Sequence, residues 1–228
     1  RYKIFALDTP GYGFSDPIKN SKKNISDFAV LINQIISSLG IEKFILYGNH
    51  TGASIAIEYG KLFPGKLQGL ILESLPIFFQ NEVKGILKNF FSPLIIKQDG
   101  SHLTSIWSKV EDQNIWFPWY ERSNKQMHHW PHAKRVEMHE YVMDFIRAGN
   151  FYKNAYSAAF KYNSFLTAKK LSVPTKFISV KSDVLYSHKA RLPKLKKNQE
   201  LIVIDDFTKR MKTIDYCINS FSKINIKK

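Results

Sequence analysis

The sequence predicts an α/β fold, a mostly parallel sheet with helices on both faces, and three observations predict it. Between residues 43 and 73 short apolar runs alternate with an amphipathic one at β-α-β spacing, and parallel strands need such crossovers. The same rhythm returns after residue 173. Between these parts lies a stretch of different character, with all four tryptophans and five of the seven histidines. An inserted helical cap between two halves of one sheet is the economical interpretation of that change.

Taken in order, residues 2–7 (YKIFAL) form an apolar run ended by Asp8-Thr9-Pro10-Gly11, which reads as a strand followed by a turn. Asn24-Ile25-Ser26-Asp27 opens a helix on which Phe28, Leu31, Ile32, Ile35 and Leu39 share one face, with Gly40 placed to end it. Residues 43–47 are the next strand, residues 53–63 the next helix, stopped by Pro64-Gly65, and residues 67–73 (LQGLILE) a further strand. Residues 76–166 read as helical and aromatic. Residues 173–180 and 200–205 (ELIVID) then read as strands, and residues 211–224 as a closing helix. This organisation divides the chain into a first core part at residues 1–75, an inserted helical cap at 76–166, and a second core part at 167–228.

At 228 residues and 44% hydrophobic content the chain has enough apolar material for one well-buried core. Its one cysteine, Cys217, rules out an internal disulfide and any Cys-based metal cluster. It falls at helical spacing in IDYCINSF, as a core thiol would, and such sparse cysteine is compatible with a cytoplasmic location. No apolar run approaches the ~18 residues that span a bilayer, so no membrane partner is expected. The net charge is +15, and residues 169–228 carry much of it, 15 Lys or Arg against 5 Asp or Glu. The lysines are scattered rather than interleaved with stacking aromatics, and no helix-turn-helix or zinc-finger spacing accompanies them, so nucleic acid is not the expected partner.

The stretch carrying most of the chemistry is Gly48-Asn49-His50-Thr51-Gly52, set between a strand and a helix. Two glycines four apart at such a junction have the layout of a nucleophile elbow, G-x-Nu-x-G, in which the middle side chain is held up on a tight turn. Here that side chain is His50. The cluster His128-His129-Trp130-Pro131-His132 suggests a metal, but Pro131 breaks the helix that would align His128 with His132, and no carboxylate completes a set. No metal is expected.

With these landmarks the chain resembles the α/β-hydrolase fold family, in its capped branch of haloalkane dehalogenases, epoxide hydrolases and esterases. The resemblance is carried by Asp8-Thr9-Pro10-Gly11-Tyr12-Gly13-Phe14-Ser15-Asp16, similar to the family's D-x-P-G-x-G-x-S-D loop. It is carried also by the elbow, by LQGLILESLP, and by the segment from Leu171 to Asp183, similar to the strand that ends in the catalytic acid. The family's sheet has eight strands, with that loop after the fourth. The resemblance therefore implies a fragment lacking the first three strands and the loop that donates one oxyanion-hole N–H. It also implies a gap between the family's fourth and fifth strands, where backbone groups would lack ladder partners.

Carried over residue by residue, the resemblance implies that His50 is the presented side chain and that the Thr51 N–H is an oxyanion donor. It implies Asp183 as the acid in the usual place and Glu73 as the acid in the alternative place. The general-base histidine should follow the last strand, where this sequence has Asp205-Asp206-Phe207-Thr208-Lys209-Arg210-Met211 and no histidine; His188 would need a large loop excursion to replace it. A cap whose inner face forms the substrate pocket makes His102 and Trp107 candidate substrate-binding groups. The expectation is a hydrolase of a small, apolar, ester-like substrate, with His50 paired to an acid and no cofactor. The alternative is a ligand-binding or scaffold protein on the same fold that performs no turnover.

Overall fold

The computed structural model describes residues 2–19, 23–124, 126–127 and 134–225. In chain order the elements are α1 (Ile25–Ser38), β1 (Phe44–Asn49), α2 (Thr51–Leu62), β2 (Leu67–Glu73), α3 (Gln80–Asn89), α4 (Ser101–Ile115), α5 (Arg135–Ala148), α6 (Tyr152–Lys161), α7 (Ser164–Lys170), β3 (Thr175–Val180), β4 (Gln199–Ile204) and α8 (Arg210–Asn225). The strands form one sheet in the order β1-β2-β3-β4, with all three pairings parallel.

Strand alternation divides the core in two. Leu70, Leu72 and Phe177 face α1, α2, α6 and α7, where Phe28, Ile57 and Tyr59 are fully buried. Ile71, Ile178, Val180 and Ile204 face the other way, onto Cys217 and Phe221 of α8. The expected core role of Cys217 is therefore met. Helix α1 starts where its cap residues require: the Asn24 side chain accepts from Asp27 N–H, and the Asp27 carboxylate accepts from Asn24 N–H. It ends at Gly40, whose φ of 66° is the left-handed conformation of a C′ residue.

The strand expected at residues 2–7 does not form; that segment has no ladder partner and no regular structure. Strand β1 pairs only with β2, residues 2–7 do not dock on its open edge, and a lone strand cannot satisfy its backbone groups. Its side chains stay accordingly open, Ile4 at 82% exposure. Between β2 and β3 lie helices α3 to α7. Of these, α4 and α5 share a small core of Ile106, Val110, Met138 and Val142, whereas Ala155, Ala158, Ala159 and Ala168 of α6 and α7 join the main core. Helix α7 runs to Lys170 and so crosses the boundary expected at residue 166. Among the described residues no helix is long and apolar enough to cross a membrane.

Candidate functional site

Parallel strands bring all their C-terminal ends to one edge, and in open α/β sheets ligands bind outside that edge. Here His50 follows β1, Glu73 and Ser74 end β2, Asp183 follows β3, and Arg210 follows β4. Five residues from four strand ends, distant in sequence, thus arrive at one rim because the sheet is parallel.

His50 sits at φ 48° and ψ −116°, a sparsely populated conformation for a residue with a side chain. The turn is over-determined. His50 N–H donates to Glu73 O at 3.1 Å, and His50 O accepts from Ala53 N–H at 2.9 Å and Ser54 N–H at 3.1 Å. Gly48 makes the approach feasible, because a Cβ there would lie 2.2 Å from Gly52 O and 2.4 Å from Gly52 C. A Cβ on Gly52 would meet nothing within 4 Å, so only the first glycine of the motif is sterically required.

Strands β1 and β3 are separated by β2, about 10 Å in all at ordinary strand spacing. The imidazole bridges this gap, and His50 Nε2 lies 2.8 Å from Asp183 Oδ2. A serine hydroxyl at the same apex would fall well short. Asp183 is buried, and its other oxygen, Oδ1, accepts from Leu185 N–H at 2.7 Å. Burial alone would raise the Asp183 carboxyl, but the hydrogen bond and charge of His50, with the Leu185 amide, outweigh it and hold the group below the usual carboxylate range. An ionised carboxylate only accepts, so Nε2 is the nitrogen that donates to it, and in the neutral ring that leaves the Nδ1 lone pair for a reactant. The His50 side chain is 34% exposed, within reach of a reactant. Thr51 is the first residue of α2, where amides have no intrahelical acceptor; Ala53 and Ser54 N–H are both taken, whereas among the described residues no backbone acceptor takes the Thr51 N–H, next in the chain to the imidazole.

Glu73 does not orient His50 with its side chain. It is fully buried and held by Arg210, through Nε at 2.9 and 3.1 Å and Nη2 at 2.7 Å, and by Tyr47 OH at 2.8 Å. Arg210 stands in the very segment where no histidine was found, and it claims the alternative acid for an ion pair. No local pattern announced that pairing, since the partners are 137 residues apart. His188, which the sequence set aside as a replacement for the base, is buried in the turn after Asp183, where its Nδ1 accepts from Ile77 N–H at 3.0 Å. Burial, helped by the Arg191 guanidinium, pushes its imidazole down to about 4, so it stays neutral.

His102 and Trp107 stay on α4, where His102 Nδ1 accepts from Lys97 N–H at 3.2 Å and Trp107 is 39% exposed. Among the described residues no hydrogen bond or ring contact ties either one to His50. His128, His129 and His132 lie outside the described residues, and among those described no group of three His, Cys, Asp or Glu is placed to hold a metal.

A family model for the alpha/beta hydrolase fold matches residues 1–93. The juvenile hormone epoxide hydrolase of Manduca sexta is 29% identical over 110 residues, 46% of this chain and 23% of that protein. The 2-hydroxy-6-oxononadienedioate/2-hydroxy-6-oxononatrienedioate hydrolase of Klebsiella pneumoniae is 34% identical over 71 residues, 31% of this chain and 25% of its own length. The matched part of the chain thus spans about a quarter of the length of these curated relatives. Among solved structures, an esterase from Exiguobacterium antarcticum superposes with a TM-score of 0.65 at 16% identity, over 94% of this chain and 80% of its own. An epoxide hydrolase from Vigna radiata gives 0.57 at 18% identity, over 97% and 81%.

Proposed function

We propose that this chain, whose fold is that of the α/β hydrolases, hydrolyses a small, apolar, ester-like substrate with a His50–Asp183 dyad in place of a serine-based triad. The single observation that carries the reading is the 2.8 Å contact of His50 Nε2 with Asp183 Oδ2 at the apex of the strand-to-helix turn. Asp183 fixes both the ring orientation and the tautomer, and it stabilises the imidazolium that forms during reaction.

In this mechanism Nδ1 takes a proton from water as the water oxygen bonds to the acyl carbon. The carbonyl electrons move to the oxygen, which the Thr51 N–H stabilises. Collapse of the tetrahedral species breaks the bond to the leaving alkoxide, which receives the proton from Nδ1, and the carboxylic acid leaves with the dyad restored. General-base help of this kind is worth roughly 10²–10⁴-fold. The expected activity is therefore slower than that of a full triad.

The test is hydrolysis of p-nitrophenyl esters of short acids by the chain and by His50→Ala. Turnover lost by about 10²-fold or more in a variant with unchanged circular dichroism is the expected result. Equal turnover in both removes His50 from the chemistry. No turnover in either, from folded protein, makes the turn an inherited shape on a ligand-binding protein.

A further inference from the structure

A concavity lies away from the dyad, at the other end of α2. Lys61 is ten residues along that helix from Thr51, about 15 Å at the rise of an α-helix. There Lys61 meets Lys23, Lys161 and Lys170 around a cavity of about 400 Å³. That volume is within the range of small-molecule sites. No carboxylate is among the groups that line it, and Ile25, Ala158 and Leu166 supply an apolar floor.

The wall is preorganised. Glu58, fully buried beneath the cavity, accepts from Ser26 Oγ at 2.5 Å, Tyr162 OH at 2.6 Å and Lys61 Nζ at 2.9 Å. Burial would raise this carboxyl, but those bonds outweigh it and hold it below the usual range, so the glutamate stays charged and Lys61 stays anchored. Two asparagines at the rim have their side-chain oxygens committed: Asn24 Oδ1 accepts from Asp27 N–H, and Asn163 Oδ1 from Leu166 N–H. Their Nδ2 groups therefore remain as donors. The ammonium groups of Lys23, Lys161 and Lys170 have no carboxylate partner among the described residues. Every uncommitted charge at the rim is positive, and the two amides add donors.

We propose that this lysine-rimmed cavity binds a phosphate group carrying at least two negative charges, on a soluble phosphorylated small molecule or on a phospholipid headgroup. Three free ammonium groups and two amides match the several acceptor oxygens of such a group, and the apolar floor suits the carbon skeleton attached to it.

Calorimetric titration of the chain with inorganic pyrophosphate at low salt tests the inference, alongside two double variants. Lys161→Gln with Lys170→Gln removes half the rim. Lys194→Gln with Lys197→Gln removes the same charge outside the cavity and controls for the general basicity of the protein. Saturable one-to-one binding, weakened about tenfold or more in the first variant and less than about threefold in the second, is the expected result, because each charge-assisted bond is worth that order. Co-sedimentation with phosphatidylcholine vesicles containing phosphatidic acid separates the sources: binding there but not to pyrophosphate, with the same dependence on Lys161 and Lys170, assigns the phosphate to a headgroup. Absence of saturable binding in both assays overturns the inference, and so does equal weakening by the two variants. Both sites of substitution are exposed, and matching thermal midpoints show that the variants fold.

Discussion

Gly48→Ala and Gly52→Ala look equivalent in the motif, and the structure makes them opposites. At Gly48 an added methyl carbon would stand 2.2 Å from Gly52 O, 2.4 Å from Gly52 C and 2.8 Å from Ala53 N. Non-bonded carbon contacts settle near 3.5–4.0 Å, so these atoms must withdraw by about 1 Å or more. All three belong to the backbone of the first turn of α2, tied down by the bonds of His50 O to Ala53 and Ser54 N–H and of His50 N–H to Glu73 O. Overpacking that no side chain can relieve costs about 3 kcal/mol or more. At Gly52 the methyl enters open space in a helix, where exchanging glycine for alanine gains about 0.5–1 kcal/mol. Urea unfolding followed by circular dichroism reads both. With m near 1–3 kcal/mol/M, Gly48→Ala lowers the midpoint by about 1 M or more, and Gly52→Ala leaves it level or raises it. A Gly48→Ala protein within about 0.5 kcal/mol of the parent, or no less stable than Gly52→Ala, would refute the steric account of the turn.

Three further outcomes follow from the site. Asp183→Asn, with its amide oxygen kept on Leu185 N–H, turns an NH2 donor toward His50 Nε2 and so favours the wrong tautomer, and ester turnover is expected to fall by about 10²-fold or more; an unchanged kcat would detach Asp183 from the dyad. Glu73→Gln leaves the Arg210 guanidinium, one-third exposed, without its counter-charge, and a loss of about 2 kcal/mol in urea unfolding is expected with turnover retained. Lost turnover at unchanged stability would return Glu73 to the chemistry. His188, held neutral down to about pH 4 in the folded protein, binds its proton at about 6.5 once unfolded. The unfolded state then binds more protons between those values, so stability falls as pH drops from about 6.5 to 4, by up to about 3 kcal/mol. His188→Phe should flatten that part of a stability–pH curve, leaving the loss at lower pH that comes with protonating Asp183, Glu58 and Glu82, whose pKa values are held low in the folded protein. A curve with the same slope in both proteins would refute the assignment.

Much of the fold was legible because its signals are local. The Asn24–Asp27 capping pair, Gly40, the short apolar runs of β2 and β3, and the glycine-bracketed turn each announce themselves within a few residues. The expected bounds of β2 coincide with those found, and the other three strands that form shift by at most two residues. The failure at residues 2–7 has the opposite origin. An apolar run becomes a strand only when a neighbour completes its ladder, and no property of YKIFAL says whether one is present.

The sequence by itself determined the alternation of elements, the sharp turn at Gly48, and the presence of an imidazole at its apex, because periodicity, close backbone approach and side-chain identity are written in adjacent residues. The tertiary structure alone decided which acid that imidazole meets. Asp183 and Glu73 both follow strands at the same rim, and neither local sequence favours one. Arg210, arriving from the far end of the chain, fills the Glu73 carboxylate, while β2 spaces His50 from Asp183 by a distance that an imidazole can bridge. Pairing of charges across 133 and 137 residues is a consequence of strand order, and strand order is a property of the folded sheet.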